Sequence, residues 1–309
     1  MLVRRTLAPA LVVLLAASVG VGCGFGPGET SEGVIRLTVT RDYGAERLIE
    51  ATRSDPPESE TALTMLDREA EIKTRYGGGF VQSIEGIEGS FDAGRSLDWF
   101  FYVNGVESEI GAADAALRGG DLVWWDHRDW TQAMRVPAVV GSWPEPFRQA
   151  SAGSDRLAVR VICAGRNPPC RAAQDALGDA GVSSVISNPA PSEPGEFLGL
   201  IVGEWDEIAD DQAASLIARG PESSGVFARS SNGDLELLDE RGDKAGIADG
   251  LVAATRNGAG PPTWVVTGTS RHGLTDAVAL LDAGILQDRY AVATSDGIPI
   301  PLPVDAGSQ

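Results

Sequence analysis

From residue 34 the chain alternates apolar and polar side chains. In VIRLTVTR, Ile35, Leu37 and Val39 take every second position, a period that belongs to a half-buried strand. ERLIEATRS repeats it, and Asp42 to Gly44 reads as the hairpin turn between the two. Ala62, Leu63, Leu66 and Ala70 then recur at helical spacing, with Ser59 or Thr61 available as N-cap. After the run Gly77 to Gly79, the apolar set Phe80, Val81, Ile84 and Ile87 predicts another strand. LDWFFYVNGVES is a strand ending in Asn104-Gly105, a strong hairpin signal. Gly119-Gly120-Asp121 turns the chain into LVWWDHRDW. The predicted unit, residues 34–135, is β-β-α-β-β-β: an α+β, β-grasp-like mixed sheet embracing one helix.

Prolines at 137, 144 and 146 favour extended chain and mark residues 136–155 as a linker. Its apolar residues (Val136, Val139, Val140, Trp143, Phe147) are expected to pack along the first unit, and its tail, Ala150 to Asp155, is small and polar. Residues 156–305 then alternate apolar strands with helical patterns. RLAVRVICA, VSSVIS, FLGLIVGEW and PTWVVTGTS read as strands, and RYAVATSDG and IPIPLPV close the chain. SGVFARS and DLELLDERG form a hairpin about Ser231-Asn232-Gly233. Helices are expected at Cys170 to Ala180, WDEIADDQAASLIARG, KAGIADGLVAATRNG and RHGLTDAVALLDAG. Strands alternating with helices of this length imply an α/β three-layer domain.

The first residues are an address and not a fold. Arg4 and Arg5 precede an apolar run from Leu7 to Val21, too short for a comfortable membrane span and suited to the h-region of a secretory signal, residues 1–22. Gly20, Val21 and Gly22 before Cys23 resemble a bacterial lipobox, in which Cys23 becomes the lipidated first residue; Gly20 stands where Leu is commonest. Residues 23–33 are a Gly-rich spacer. The expected location is the outer face of the cytoplasmic membrane, held there by lipid on Cys23. In that oxidising setting Cys163 and Cys170, in CAGRNPPC, read as a disulfide; the alternative is a reactive thiol at Cys170 ahead of a helix.

Composition narrows the partners. The 309 residues carry a net charge of -19, and with no basic run this argues against nucleic acid and against docking through a basic patch on anionic lipid. Hydrophobic residues at 43% and charged residues at 22% belong to a folded chain.

TRDYG, TALTMLDR, TRYGGGFVQSIEGI, DWFFYVNG and GGDLVWWDHRDW together resemble the DUF4430 family, which is similar to the C-terminal β-domain of transcobalamin and intrinsic factor. The resemblance covers about a third of the chain. It implies a β-grasp-like fold on exported, surface-attached proteins and cobalamin as a candidate ligand. The helical barrel that completes cobalamin capture in those relatives has no counterpart in this sequence.

The same segment carries the candidate contacts. Neighbours on a strand face opposite sides, so Trp124 and Trp125 are not expected both to be core, Phe100 and Phe101 diverge likewise, and one face of each pair is expected to be exposed or covered by something else. Exposed rings mark binding sites, which nominates Trp99, Phe101, Tyr102, Trp124, Trp125 and Arg128 for a ligand or partner. The competing reading packs the second face on the C-terminal domain or on Trp143. Asp126 to Asp129 read as a solvated strand end with an Asp–Arg pair, a metal use of Asp126 and His127 being the alternative. In the second domain, GTSRHG sits between strand and helix, where Thr269 and Ser270 either cap the helix or help hold an anion. Ser270 and His272 show no assignable acid partner, and no HExxH, GxSxG, Walker A or GxGxxG signature occurs. The expected role is therefore a non-catalytic binding module that delivers a small molecule to a membrane transporter. An envelope interaction protein and an extracellular hydrolase are the alternatives.

Overall fold

The computed structural model describes residues 30–76, 79–92, 94–149, 156–164, 168–187 and 197–305. The leader, Cys23, most of the spacer, Gly77, Gly78 and the linker tail lie outside them. The described chain is mixed α+β, mostly sheet with few helices.

The N-terminal lobe comprises β1 (Val34–Arg41), β2 (Glu46–Ser54), α1 (Ala62–Glu69), β3 (Ile72–Arg75), β4 (Phe80–Ile84), β5 (Ile87–Glu88), β6 (Ser90–Asp92), β7 (Arg95–Val103), β8 (Val106–Glu107) and β9 (Leu122–Asp129). The main sheet runs β2-β1-β9-β7-β6, with β8 on β7; β3, β4 and β5 form a small separate sheet. The first and last strands, β1 and β9, lie parallel at the centre, while β2 and β7 flank them antiparallel. Thr61 and Thr64 form a capping box that starts α1 by satisfying its free N–H groups. Ala62, Met65 and Leu66 bury against Ile35, Leu37 and Val39 of β1. The Asn104-Gly105 turn has positive φ at both residues, as a tight hairpin requires. The Asn104 side chain bonds Asp121 and the Leu122 N–H, so it serves the turn.

The C-terminal lobe follows as β10 (Ala158–Cys163), α2 (Pro168–Asp179), β11 (Ser184–Ser187), β12 (Phe197–Glu204), α3 (Trp205–Ile208), α4 (Gln212–Ala218), α5 (Pro221–Ser224), β13 (Ala228–Ser231), β14 (Asp234–Leu238), β15 (Lys244–Ala248), β16 (Gly250–Arg256), β17 (Pro262–Gly268), α6 (Arg271–Ala279), α7 (Ala283–Leu286), β18 (Ala291–Ser295) and β19 (Ile298–Leu302). Its seven-stranded sheet has the order β11-β10-β12-β17-β16-β18-β19. It is parallel from β11 to β17 and antiparallel from β17 to β19. Leu177 of α2 and Leu274 of α6 pack with Val161, Leu200 and Trp264 in one core.

Three sequence expectations change. KAGIADGLVAATRNG is β15 and β16, not a helix. Six of the seven residues of β16 are buried, so the strand shows no alternation, and its Ala and Leu content imitates a helix. WDEIADDQAASLIARG is two helices, because Asp211 breaks the run and caps α4 through the Ala213 N–H. The linker does not pack along the first lobe alone: Val140, Trp143 and Phe147 join the C-terminal core, with Trp143 5.5 Å and Phe147 5.2 Å from the Trp264 ring. Cys163 and Cys170 are disulfide-bonded, joining β10 to α2.

Candidate functional site

Strand β9 builds two different environments from alternate residues. Val123, Trp125 and His127 face α1. Trp125 stacks on Phe101 at 4.7 Å, and Trp99 lies 5.0 Å from the His127 ring while its indole N–H bonds the Ile87 carbonyl. The His127 Nε2 meets the Glu88 carbonyl at 3.2 Å. Burial lowers the His127 pKa, which favours the neutral ring.

Trp124, Asp126 and Arg128 face the other way, into the C-terminal lobe. Tyr43, from the β1–β2 turn, meets Phe227 at 5.0 Å and Tyr290 at 5.1 Å, edge to face. Tyr290 also lies edge to face with Trp124 at 5.2 Å. The Trp124 indole donates to Thr40 Oγ1 at 2.7 Å, and Thr40 donates to Asp126 at 2.5 Å. Asp126 further accepts the Tyr290 hydroxyl at 2.9 Å and the Gly44 N–H at 3.1 Å. Burial pushes the Asp126 carboxyl above its ordinary range, against the lowering effect of these bonds and of Arg128. Arg128 is fully buried. It lies 3.7 Å over the Phe100 ring, and Nη1 donates to the Ala133 carbonyl at 2.7 Å. Its planar fork thereby ties the start of the interlobe connection to the sheet.

These contacts revise the candidate surface. Trp99, Tyr102, Trp124, Trp125 and Arg128 are buried and Phe101 is half-buried. Trp124 and Trp125 are both core residues, because each belongs to a different core. Asp126 to Asp129 are buried too, not a solvated strand end. The sequence did not reveal Tyr43, Phe227 or Tyr290 as the cover. The one local signal is Tyr43, a bulky residue at positive φ in a hairpin turn, where Gly or Asn would relieve strain.

Beside this belt the two lobes leave a groove of about 130 Å³. Arg36, Thr38, Glu50 and Thr52 line it from β1 and β2, Trp124 from β9, Ser142 and Trp143 from the connection, and Ala283, Gln287 and Asp288 from the C-terminal lobe. Arg47 pairs with both Asp288 and Glu50 at its edge. Gly44 and Gly141 permit the close approach: a Cβ at Gly44 would strike the Asp288 carbonyl, and one at Gly141 would strike the Trp124 ring and the Arg289 backbone. The groove offers hydroxyls, an amide, a guanidinium and carboxylates around aromatic carbon. Arg36, Thr38 and Thr52 were missed because polar residues at alternate strand positions resemble an ordinary solvent face.

Elsewhere, Ser270 is the N-cap of α6 and accepts the Gly273 N–H at 3.2 Å. The Thr269 N–H donates to the Asp249 carbonyl at 2.8 Å. His272 faces solvent, 3.6 Å from Asp276. Asp126 and His127 point to opposite faces of the sheet, and among the described residues no group of three or more His, Cys, Asp or Glu is placed to hold a metal ion. Nor, among them, is any helix long and apolar enough to cross a membrane.

The architecture is thus a two-lobed α+β protein, and one part of it has a family. A DUF4430 domain, described as a domain of unknown function, is found at residues 59–128. No curated protein matches the chain. Among solved structures, a protein from Ruminococcus gnavus ATCC 29149, provisionally described as metal-binding, is 15% identical; the match covers 32% of this chain and 98% of that one, with a TM-score of 0.25.

Proposed function

We propose that the protein is a non-catalytic binding module, exported and lipid-anchored through Cys23 on the outer face of the cytoplasmic membrane. In this reading a β-grasp-like lobe and an α/β three-layer lobe act as one receptor that passes a small polar molecule to a membrane transporter. The strand order with β1 and β9 parallel at the centre suits a β-grasp, and helices α2 and α6 on one sheet face suit the layered reading. The observation that carries the binding role is the interlobe groove, lined by side chains from both lobes. Its size favours a ligand of a few heavy atoms over a corrinoid: pockets for drug-sized molecules are roughly 300–1,000 Å³.

The test is a thermal-shift panel of amino acids, dicarboxylates and polyols on the full chain, with cobalamin retention followed by colour. A ligand at about 100 times its Kd adds about 2.7 kcal/mol of stability, several degrees in Tm. Ala283→Trp, which narrows the groove from an exposed position, should abolish that shift while leaving the unliganded Tm in place. An undiminished shift in the variant, or cobalamin retention with no response to small solutes, would remove the groove from the account.

A further inference from the structure

The N-terminal lobe exposes large apolar side chains at both of its ends. Phe91, 82% exposed, lies on β6, whose pairing with the start of β7 puts it at the end where β1 and β9 finish. Tyr76, 87% exposed, Phe80 and Ile110 lie at the other end. Gly79, next to β4, and the loop after β8 touch there: a Cβ on Gly111 would come within 3.0 Å of the Gly79 Cα. Tyr76 holds a positive φ of 53°, a costly conformation for an aromatic residue, in a turn where its carbonyl accepts the Gly79 N–H.

The described chain enters the fold at this same end. Thr30 bridges Pro57, and Pro57 accepts the Glu60 N–H. Thr61 bridges Ala116, and the Leu63 N–H bonds the Ala112 carbonyl, one residue from Gly111. Seven peptide steps separate Thr30 from Cys23. An extended chain spans at most about 3.6 Å per residue, so a lipid on Cys23 holds this end within about 25 Å of the bilayer.

We infer that Tyr76, Phe80 and Ile110 form a membrane-contacting face that seats the anchored protein on the lipid surface. The inference rests on the lipid-anchor reading and adds an orientation to it. Aromatic rings with a polar edge settle at the headgroup level, and an exposed apolar cluster beside a tether has the bilayer as its nearest apolar phase. A net charge of -19 argues against electrostatic adhesion to anionic lipid, so the contact is assigned to apolar insertion, which tolerates salt.

The experiment uses full-length lipoprotein reconstituted in phosphatidylcholine vesicles with brominated acyl chains, and reads tryptophan emission. Tyr76→Trp should add emission that brominated lipid quenches, whereas Phe91→Trp, at the opposite end, should add emission that it does not. Flotation of the vesicles reports the tether separately. Protein that floats with the Tyr76→Trp emission unquenched overturns the membrane face and leaves the anchor standing, as a patch that contacts another protein would do. Protein that does not float overturns both. Equal quenching at the two sites defeats the orientation. Ile110→Glu in the Tyr76→Trp background should float and lose the quenching; unchanged quenching counts against insertion.

Discussion

Residues 123, 125 and 127 alternate along β9 with residues 124, 126 and 128, and the two sets fill unlike interiors. Toward α1 the strand meets aliphatic side chains and aromatic rings, and the polar atoms of Trp99 and His127 reach backbone carbonyls of the adjoining β5. Toward the second lobe the same strand presents a carboxylate, a guanidinium and an indole N–H, all buried. A dry face can be closed by any apolar helix of about the right shape. The polar face tolerates only a cover that returns its hydrogen bonds, because a buried donor or acceptor left unmet costs about 1–3 kcal/mol. The Tyr290 hydroxyl supplies the bond to Asp126 that crosses from the second lobe, while Thr40, Gly44 and the Ala133 carbonyl meet the other groups from the first lobe's side, so the Asp126–Tyr290 pair helps specify how one lobe sits on the other.

The largest expected effect is on the dry side. Trp125→Ala should cost about 3–5 kcal/mol in denaturant unfolding, as for other buried large-to-alanine changes. Hydrogen exchange should then rise throughout β1, β7 and β9, whereas Trp124→Ala should raise it at Gly44 and around Tyr290 on both sides of the lobe contact. Identical exchange maps for the two variants would erase the distinction between the faces.

Asp126→Ala comes next, at about 2–3 kcal/mol, since it leaves the Tyr290 hydroxyl and the Gly44 N–H without their acceptor. Asp126→Asn keeps an acceptor and removes the buried charge, so it should cost less. Equal losses in calorimetry would mean that charge, not hydrogen bonding, holds the lobes.

The smallest effects are in pH dependence and have opposite signs. The Asp126 carboxyl is raised, so the folded state holds its proton more tightly than the unfolded chain does. Its contribution to stability therefore falls as pH climbs from the ordinary carboxylate range through the raised value. The His127 imidazole is lowered, so its contribution falls as pH drops from the ordinary imidazole value through the lowered one. Relative to wild type, Asp126→Asn should flatten the first slope of Tm against pH and His127→Gln the second. A variant that changes the slope on the other side would reverse the assignment of faces.

Much of both lobes is legible because local chemistry suffices. The alternation of Ile35, Leu37 and Val39, the Thr61 cap and the Asn104-Gly105 and Asn232-Gly233 turns each declare their element. β16 was illegible because burial on both sides removes the period that marks a strand. The cover over Trp124 was illegible for another reason: Asp126 and Tyr290 are 164 residues apart, and no local pattern couples them. The aromatic cluster was visible in the sequence, and packing of its second face on the C-terminal domain stood as the competing reading, but the residues that make the cover were not visible. The groove beside it comes from the docking itself.

The central placement of β1 has a consequence for anyone dividing the polypeptide. The recognisable stretch, 59–128, begins after that strand, yet β9 finds its parallel neighbour there. A fragment cut to the stretch would keep β9 with one flank unzipped, and Tyr102 and Trp124 would meet water in place of Tyr290. What sequence comparison recognises as a module is here an inseparable slice, and transplanting it intact means carrying both its opening strand and the lobe that shelters its far side.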